Sequence, residues 1–440
     1  MQNTFKYIII FATIVILGVG VFFGVKFYQN SKTAATPMGG DITNTDTTRT
    51  PFQTRVSTST GVETITEDED PVVNPAIVGT PLKPRLVQLW KEPVSGFDFV
   101  YKDIEVVSTS TNNSTSSIIK NITNKKILKN QQFIYLWDRK TGHIYENLAS
   151  TTELVKISNY TMPGAEEVFF ADNSSLVIRK LENDNDLIST TYMKLVKEFS
   201  TSTIYIASVK DIIIDASNVS FSSAAKRLFY FIRGTGKGVI ASVDGTTRTS
   251  AINTTVSEWL SQYVNKDLIA LTTKPSAYFK GYLFTMVTTG TGRNTYILGE
   301  KYGFNTLMSP DGKKVIYNEI INNSLEMFIY DIKSKSSTYL SQSTIVDKCV
   351  WSLDSKQIFC AIPQKLYEAP YPDAWYRNDI SFADNIWAIN PETGDFQITA
   401  ALQDQVLLPI DAYRLTISPD AKYLLFQDKV TLTLWKYDLY

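Results

Sequence analysis

Short apolar segments recur along most of this chain, and each is followed by a tight turn and a second, more strongly apolar segment. The clearest example is residues 309–317, which read Ser-Pro-Asp-Gly-Lys-Lys-Val-Ile-Tyr. Pro310 presets φ for the first central position of a β-turn, and Gly312 supplies the positive φ that closes it. The β-branched and aromatic residues after the turn are typical of a buried strand. The segment therefore predicts a hairpin in which Asp311 and Gly312 are structural turn residues.

The same hairpin signature repeats along the chain, with 43 residues between Ser309 and its next copy. Copies begin at Ser222, Ser352 and Ser418, and degenerate copies lie at Ala171 and Val264. In the two later copies the turn carboxylate is Asp354 or Asp420. Four strands in every 40–45 residues, roughly, are typical of one blade of a β-propeller, and residues 85–440 show no run of helical periodicity. The sequence therefore predicts an all-β propeller.

The first strand of each predicted blade gives the number of blades. Candidates lie near Phe97, Val168, Val219, Leu260, Thr306, Cys349 and Leu415. They indicate a seven-bladed propeller, or a six-bladed one if the first blade is incomplete. Irregular segments at 108–129 and 364–385 are insertions into this pattern. The chain ends one strand short of a full blade, so we expect the isolated strand at 85–90 to pair with the C-terminal blade and remove two open sheet edges.

The N-terminal residues follow a different pattern. Residues 7–25 carry no charge and, at about 1.5 Å per residue, are long enough to cross a hydrocarbon core of about 30 Å. No cleavage site of small residues follows, which favours a retained signal anchor over residues 7–27, after a short cytoplasmic segment of residues 1–6. Residues 28–84, rich in Thr, Ser, Asn, Asp and Pro, predict a disordered tether. We expect a single-pass cell-membrane protein with its propeller, residues 85–440, on the extracytoplasmic side.

Composition narrows the chemistry that this chain can perform. The formal net charge is −1, so no overall positive field favours nucleic acid. His143 is the only histidine and there are two cysteines, which removes most histidine-based catalysis and any cysteine zinc cluster. The sequence contains no nucleotide-binding loop and no nucleophile elbow. We therefore expect no cofactor, no metal site, no catalytic residue and no nucleic-acid partner.

The two cysteines flank one predicted hairpin. If its loop is the two residues Asp354 and Ser355, Cys349 lies opposite Cys360 and a cross-strand disulfide is within reach. If the loop has three residues with a bulge, Cys349 faces Phe359 and the thiols point to opposite faces of the sheet. An extracytoplasmic location favours oxidation. The sequence leaves open both a disulfide and two buried free thiols.

The repeated hairpin resembles that of a known family. The Ser-Pro-Asp-Gly-Lys turn, followed by a strand that ends in an aromatic residue, resembles the WD40-like, or TolB-type, propeller repeat over most of residues 85–440. Residues 142–146, 348–352 and 371–376 are similar to segments of membrane-anchored propeller proteins of candidate-phylum (Parcubacteria-like) bacteria. The resemblance implies a propeller fold and a location at the cell surface. It implies no activity and no catalytic residues.

The insertion at 364–385 holds the candidate binding residues. They are Tyr367, Tyr371, Asp373, Trp375 and Tyr376. Aromatic residues in a long loop on one face of a propeller are suited to contact a partner, but the simpler interpretation is that they cover the hydrophobic edge of their own blade. We interpret the chain as a non-enzymatic binding scaffold at the cell envelope whose partner is a protein, peptide or glycan. The alternative is an exported hydrolase or lyase with its site in the central channel.

Overall fold

The computed structural model describes residues 84–111, 121–182, 187–197, 204–289 and 293–440. All of these lie within a unit that begins at residue 79. The predicted signal anchor over 7–27, and all but the last residue of the predicted tether, fall outside the described residues. None of the helices in the described part of the chain is long and apolar enough to cross a membrane.

The described strands form seven four-stranded antiparallel sheets, which we number as blades 1 to 7. Blades 1 to 3 contain β2 (Val94–Thr111), β3 (Asn121–Asp138), β4 (Ile144–Leu148) and β5 (Val155–Lys156); β6 (Ala165–Phe170), β7 (Ser175–Glu182), β8 (Leu187–Lys197) and β9 (Tyr205–Ile214); and β10 (Ala216–Ser222), β11 (Arg227–Ile232), β12 (Lys237–Ser242) and β13 (Arg248–Asn253). Blades 4 and 5 contain β14 (Trp259–Asn265), β15 (Leu268–Thr273), β16 (Lys280–Val287) and β17 (Asn294–Tyr302); and β18 (Thr306–Met308), β19 (Lys314–Ile321), β20 (Ser324–Asp331) and β21 (Ser336–Leu340). Blades 6 and 7 contain β22 (Cys349–Trp351), β23 (Ile358–Pro363), β24 (Asp384–Ile389) and β25 (Phe396–Ala400); and β26 (Ala412–Ile417), β27 (Tyr423–Asp428), β28 (Leu434–Asp438) and β1 (Leu86–Trp90). The other elements are the helix α1 (Asp373–Tyr376) and 3-10 turns at Val346–Lys348 and Leu402–Asp404.

The middle strands show why the sequence forms blades that pack on both faces. Side chains alternate between the two faces of a strand, and β3 is apolar at consecutive positions. Phe133, Tyr135 and Trp137 pack into the interface with blade 2. Ile134 and Leu136 pack into the interface with blade 7. Each blade therefore buries both of its faces against its neighbours.

The hydrophobic core of the described residues is divided among the junctions between blades. Seven clusters occupy the seven junctions, including the one between blades 7 and 1. First strands of neighbouring blades contact one another between β2 and β6, β10 and β14, β14 and β18, and β22 and β26, as expected of the strands nearest a central axis. Every predicted first strand falls in the first strand of a blade. The prediction of an all-β, seven-bladed propeller is confirmed.

The N-terminal strand of the propeller completes the C-terminal blade. β1 pairs antiparallel with β28, with Leu86 opposite Tyr437 and Val87 opposite Lys436. The buried ammonium group of Lys436 donates hydrogen bonds to the carbonyl oxygens of Ala149 (2.8 Å) and Thr151 (3.0 Å) in blade 1. Blades 7 and 1 are thus joined by polar contacts as well as by an apolar cluster.

The repeated turns share one hydrogen-bond arrangement. Ser309 Oγ donates to Asp311 Oδ1 at 2.7 Å, and the backbone N–H of Gly312 donates to the Ser309 carbonyl at 2.8 Å. Gly312 has a φ of +72°, and in the later copies Ser355 (φ 61°) and Ala421 (φ 55°) take this place. In the hairpin that contains Ser352, Trp351 pairs with Ile358, so residues 352–357 separate the paired positions and no bulge shifts the register. Hence Cys349 lies opposite Cys360, and a disulfide joins them.

The antiparallel order gives the propeller two ends with different connections. Turns between first and second strands lie at one end, the turn face, whereas connections between second and third strands and between blades lie at the other end, the loop face. The backbone carbonyl of Arg85 accepts a hydrogen bond from the backbone N–H of Asp438. The next residue, Leu439, donates its backbone N–H to the carbonyl of Lys422 in the β26–β27 turn. The chain therefore enters the propeller at the turn face. The insertion between β23 and β24, residues 364–383, lies at the loop face.

Closure of the ring by β1 can be tested by removing it. Deletion of residues 85–90 from the full chain is expected to abolish the single cooperative unfolding transition, because blade 7 loses its outer strand and the apolar contacts of Leu86 and Leu89. Thermal unfolding followed by circular dichroism measures this. Deletion of residues 41–46, in the predicted tether, is the matched control and should leave the transition unchanged. A protein without 85–90 that unfolds cooperatively at the original temperature would contradict this role of β1.

Candidate functional site

The insertion at residues 364–383 contributes both buried and exposed aromatic side chains to the loop face. Tyr371 and Trp375 are buried in a small cluster with Leu325 and Phe382. By contrast, Tyr367 is 56% exposed and Tyr376 is 37% exposed. The structure thus brings the predicted binding residues into one loop and divides them between two environments. Of the four aromatic residues, Tyr367 and Tyr376 are the ones that a partner can reach.

A buried ion cluster lies beneath the insertion. Lys348, from the 3-10 turn that precedes β22, is fully buried, as are Asp384 at the start of β24 and Asp411 just before β26. The Lys348 ammonium group donates to Asp384 Oδ2 at 2.7 Å and also to Asp411 Oδ1. Burial raises the pKa of Asp384 above its ordinary value, while the charge of Lys348 opposes that shift. One cation therefore compensates two carboxylates, and it ties blade 6 to blade 7.

Asp411 connects this cluster to the insertion itself. Its Oδ2 accepts hydrogen bonds from Trp375 Nε1 at 3.0 Å and from the backbone N–H of Phe382 at 3.1 Å. The Lys348 ammonium lies 4.5 Å from the centre of the Phe382 ring, within the range of a cation–π contact. Because the partners are buried, these contacts fix the conformation of the loop far more strongly than surface contacts could.

Further hydrogen bonds tie the insertion to blades 4 and 5. Asp373, in α1, accepts from the backbone N–H of Ala277 at 2.6 Å and from the hydroxyl of Ser276 at 3.2 Å. The Tyr376 hydroxyl donates to Asp347 Oδ2 at 2.5 Å and accepts from the Asn305 amide at 3.3 Å. The insertion therefore bridges the loop-face connections of blades 4 to 7. Asp373 forms both of its side-chain hydrogen bonds within this bridge.

Exposed aromatic residues surround this bridge. Directly after Ala277, Tyr278 is 61% exposed and Phe279 is 75% exposed. Between blades 5 and 6, Tyr367 borders a groove of about 450 Å³ that also contains the β19–β20 turn at Asn322 and Asn323. Exposed aromatic side chains on a rigid support are favourable anchors for a partner because little conformational entropy is lost on binding. The loop face thus presents exposed aromatic side chains beside a loop that buried contacts hold in place.

A second concave region lies at the turn-face end of the central channel. A cavity of about 460 Å³ is bordered by the first strands of blades 1, 2, 6 and 7 and by Ser223 of blade 3. Its wall includes apolar side chains such as Phe99, Phe170 and Leu353, and the carboxylate of Asp98. Asp98 Oδ1 accepts a hydrogen bond from the Phe99 N–H at 2.7 Å. Burial nevertheless raises the pKa of Asp98 to about 7.

Within the described residues, no group of three or more His, Cys, Asp or Glu side chains is arranged to hold a metal ion. Burial raises the pKa of the turn residues Asp311 and Asp420, but hydrogen bonds from the turn serine and the backbone outweigh it and lower the pKa overall. In Asp354 the hydrogen bond from the turn serine is the largest effect, and its pKa is also lowered. These three carboxylates lie in the repeated hairpin turns, so their environment is explained by the fold.

The most consequential site residues were not predicted from the sequence. Lys348, Asp384 and Asp411 are far apart in the chain, and each stands alone among residues of ordinary composition. Only the blade assignment could have suggested them, because it places all three beside the same junction. Asp98 could have been noticed as a carboxylate inside an apolar first strand.

Comparisons with known proteins assign no family and no function to this chain. No protein-family model matches the chain, and no curated protein shows significant similarity to it. Among solved structures, TolB from Acinetobacter baumannii is 11% identical, with 76% of this chain and 79% of that chain covered and a TM-score of 0.40. Oligogalacturonate lyase from Vibrio parahaemolyticus is 9% identical, with coverages of 77% and 98% and a TM-score of 0.44. The fold, a seven-bladed β-propeller, rests on the described strands themselves.

The ion cluster can be tested through stability. Lys348→Met leaves two buried carboxylates without a cation and is expected to lower the free energy of unfolding by about 3–5 kcal/mol. Chemical denaturation of the full chain measures this. Lys356→Met, which removes an exposed ammonium group on the turn face, is the matched control and should have little effect. Combining Lys348→Met with Asp384→Asn and Asp411→Asn should restore part of the loss; equal losses in the single and triple variants would contradict the charge argument.

The channel carboxylate makes stability depend on pH. The pKa of Asp98 is about 7 in the folded protein against 3.8 ordinarily, so the folded state binds the proton more tightly and its stabilisation is lost as pH rises through 7. Asp98→Asn should therefore stabilise the protein by up to about 4 kcal/mol at pH 8, and the gain should shrink as pH falls towards 4. Denaturation at several pH values measures this, with the exposed Asp267→Asn as control. A gain that is independent of pH would contradict the prediction.

Proposed function

We propose that this protein is a membrane-anchored, extracytoplasmic binding scaffold that engages its partner through the loop face of the propeller. The observation that carries the proposal is that chain entry and the exposed aromatic residues named above lie at opposite ends of the propeller. The chain enters at the turn face, through Arg85, whereas the exposed aromatic residues Tyr278, Phe279 and Tyr367 lie on the opposite face. A domain tethered at one end presents its other end to the surroundings.

The rigidity of the loop face supports recognition as its role. An insertion of twenty residues with no regular structure beyond α1 is held by a buried ion cluster and by hydrogen bonds to three other blades. Loops that serve only as connections do not require such support. Preorganisation of this kind lowers the entropic cost of binding.

The disulfide between Cys349 and Cys360 supports a location outside the cytoplasm. Disulfides persist in oxidising compartments and are rare where glutathione keeps thiols reduced. The uncharged segment at 7–25 supplies the membrane anchor in this proposal, with the tether giving the propeller a reach of about 40 Å.

Photo-cross-linking in cells tests the proposal. A photo-reactive amino acid at position 279, on the loop face, is expected to capture an envelope component as a discrete mass shift on a gel. The same residue at position 356, on the turn face, is the matched control and should capture none. Protease added outside the cytoplasmic membrane should also digest the propeller. Equal capture from both positions, or a propeller protected from external protease, would overturn the proposal.

A second candidate function is a hydrolase or lyase with its site in the channel. The specific observation in its favour is Asp98, a carboxylate in an apolar cavity whose pKa of about 7 suits general acid–base catalysis. Its test is polysaccharide cleavage by the purified full chain. Cleavage that is lost in Asp98→Asn would favour the enzyme, and the absence of cleavage would favour the scaffold.

A further inference from the structure

We propose that the groove between blades 5 and 6 is a saccharide-binding site for neutral or amino sugars. The inference deepens the proposed function, because it assigns a ligand class to one part of the loop face. The groove has a volume of about 450 Å³ and lies between the β19–β20 turn and the first half of the insertion. Its size is within the range of sites that hold small ligands.

The β19–β20 turn directs polar groups into this groove. Asn322 and Asn323 have φ values of 50° and 66°, the positive pair that a two-residue hairpin turn requires. Ile321 pairs with Ser324, so the two asparagines form the tip of the hairpin. Neither side-chain amide has a hydrogen-bond partner within the described part of the chain, and both are exposed. The fold thus holds two free amides at one wall of the groove.

The opposite wall supplies an aromatic ring and a carboxylate. Tyr367 is 56% exposed, and the ammonium group of Lys365 lies 4.7 Å from its ring centre, so one ring face is covered and the other is available. The Tyr367 carbonyl accepts a hydrogen bond from the buried Tyr371 hydroxyl at 2.7 Å, which fixes the backbone at this point. The next residue, Glu368, is exposed and lines the groove.

This combination of groups fits the chemistry of sugars. Amides and carboxylates form paired hydrogen bonds with neighbouring hydroxyl groups, and the apolar C–H face of a sugar ring packs on an aromatic ring. Two carboxylates, Glu326 and Glu368, line the groove, and the one ammonium group described beside it is that of Lys365 against the Tyr367 ring, so the net negative charge disfavours anionic ligands. The floor, Leu325 and Tyr371, is buried and leaves little apolar area for the side-chain anchors that a peptide needs. The observations therefore favour a saccharide over a peptide.

Calorimetric titration of the full chain in lipid nanodiscs tests the inference. The probes are cellotriose, chitotriose and the deacetylated amino form of chitotriose, with trigalacturonate as the anionic control. At least one uncharged or amino trisaccharide is expected to bind with a Kd of about 1 mM or tighter, and trigalacturonate more weakly. Tyr367→Ala should weaken binding at least about tenfold because the ring platform is lost. Asn322→Gly with Asn323→Gly should also weaken it, and glycine keeps the positive φ of the turn.

Tyr296→Ala, which removes a tyrosine of similar exposure from the outer strand of blade 4, is the matched control and should leave binding within twofold. Binding that survives Tyr367→Ala, or no binding by any of the three sugars, would overturn the inference. Capture of a protein from position 279 without sugar binding would overturn the saccharide site and retain the scaffold. If the sugars bind but position 279 captures no envelope component, the saccharide site is retained and the proposed scaffold function is overturned. The two hypotheses therefore fail separately.

Discussion

Every blade of this propeller is a small sheet with two apolar faces, and that constraint determines the rest of the structure. A single antiparallel sheet normally leaves one face in water. Here β3 directs Tyr135 to one neighbour and Leu136 to the other, so no blade has a face that water can cover at low cost. A row of such blades would always leave two apolar faces at its ends. Closing the row into a ring removes both of them, which is why the strand before blade 1 completes blade 7.

At the loop face, one junction between blades also fixes the conformation of the insertion. The buried Lys348 cluster lies at the junction of blades 6 and 7, and it connects their packing to the position of Trp375. A buried ion cluster is a weak source of stability compared with an apolar core of equal volume, because desolvation offsets most of the attraction between charges. The cluster instead favours one conformation of the insertion, because any other conformation would leave buried charged groups without their partners. The cluster thus contributes to the fixed position of the insertion, which carries Tyr367 and Tyr376.

The sequence predicted the repeated structure because each hairpin is defined locally. The turn chemistry of Ser309 to Gly312 and the apolar strand after it lie within nine residues, and the seven first strands followed from it. The partners of Lys348 lie 36 and 63 residues away, so no local pattern could reveal the cluster. Tyr367 and Trp375 were indistinguishable in sequence, because the contacts that bury Trp375, with Phe382 and Asp411, form only in the folded protein. Aromatic content identified the loop, and tertiary contacts assigned its roles.

The strand that closes the ring is also the first strand of the propeller after the predicted tether. A pull on the N-terminal side acts on Arg85, whose side chain donates a hydrogen bond to the Asp438 carbonyl at 2.8 Å. If the load is resisted at the loop face, the force runs along β1, and the hydrogen bonds between β1 and β28 are sheared together rather than unzipped one at a time. Rupture then requires several bonds to break at once. The ring closure is therefore placed to act as a mechanical clamp, which resists unfolding of the propeller when its N-terminal end is pulled.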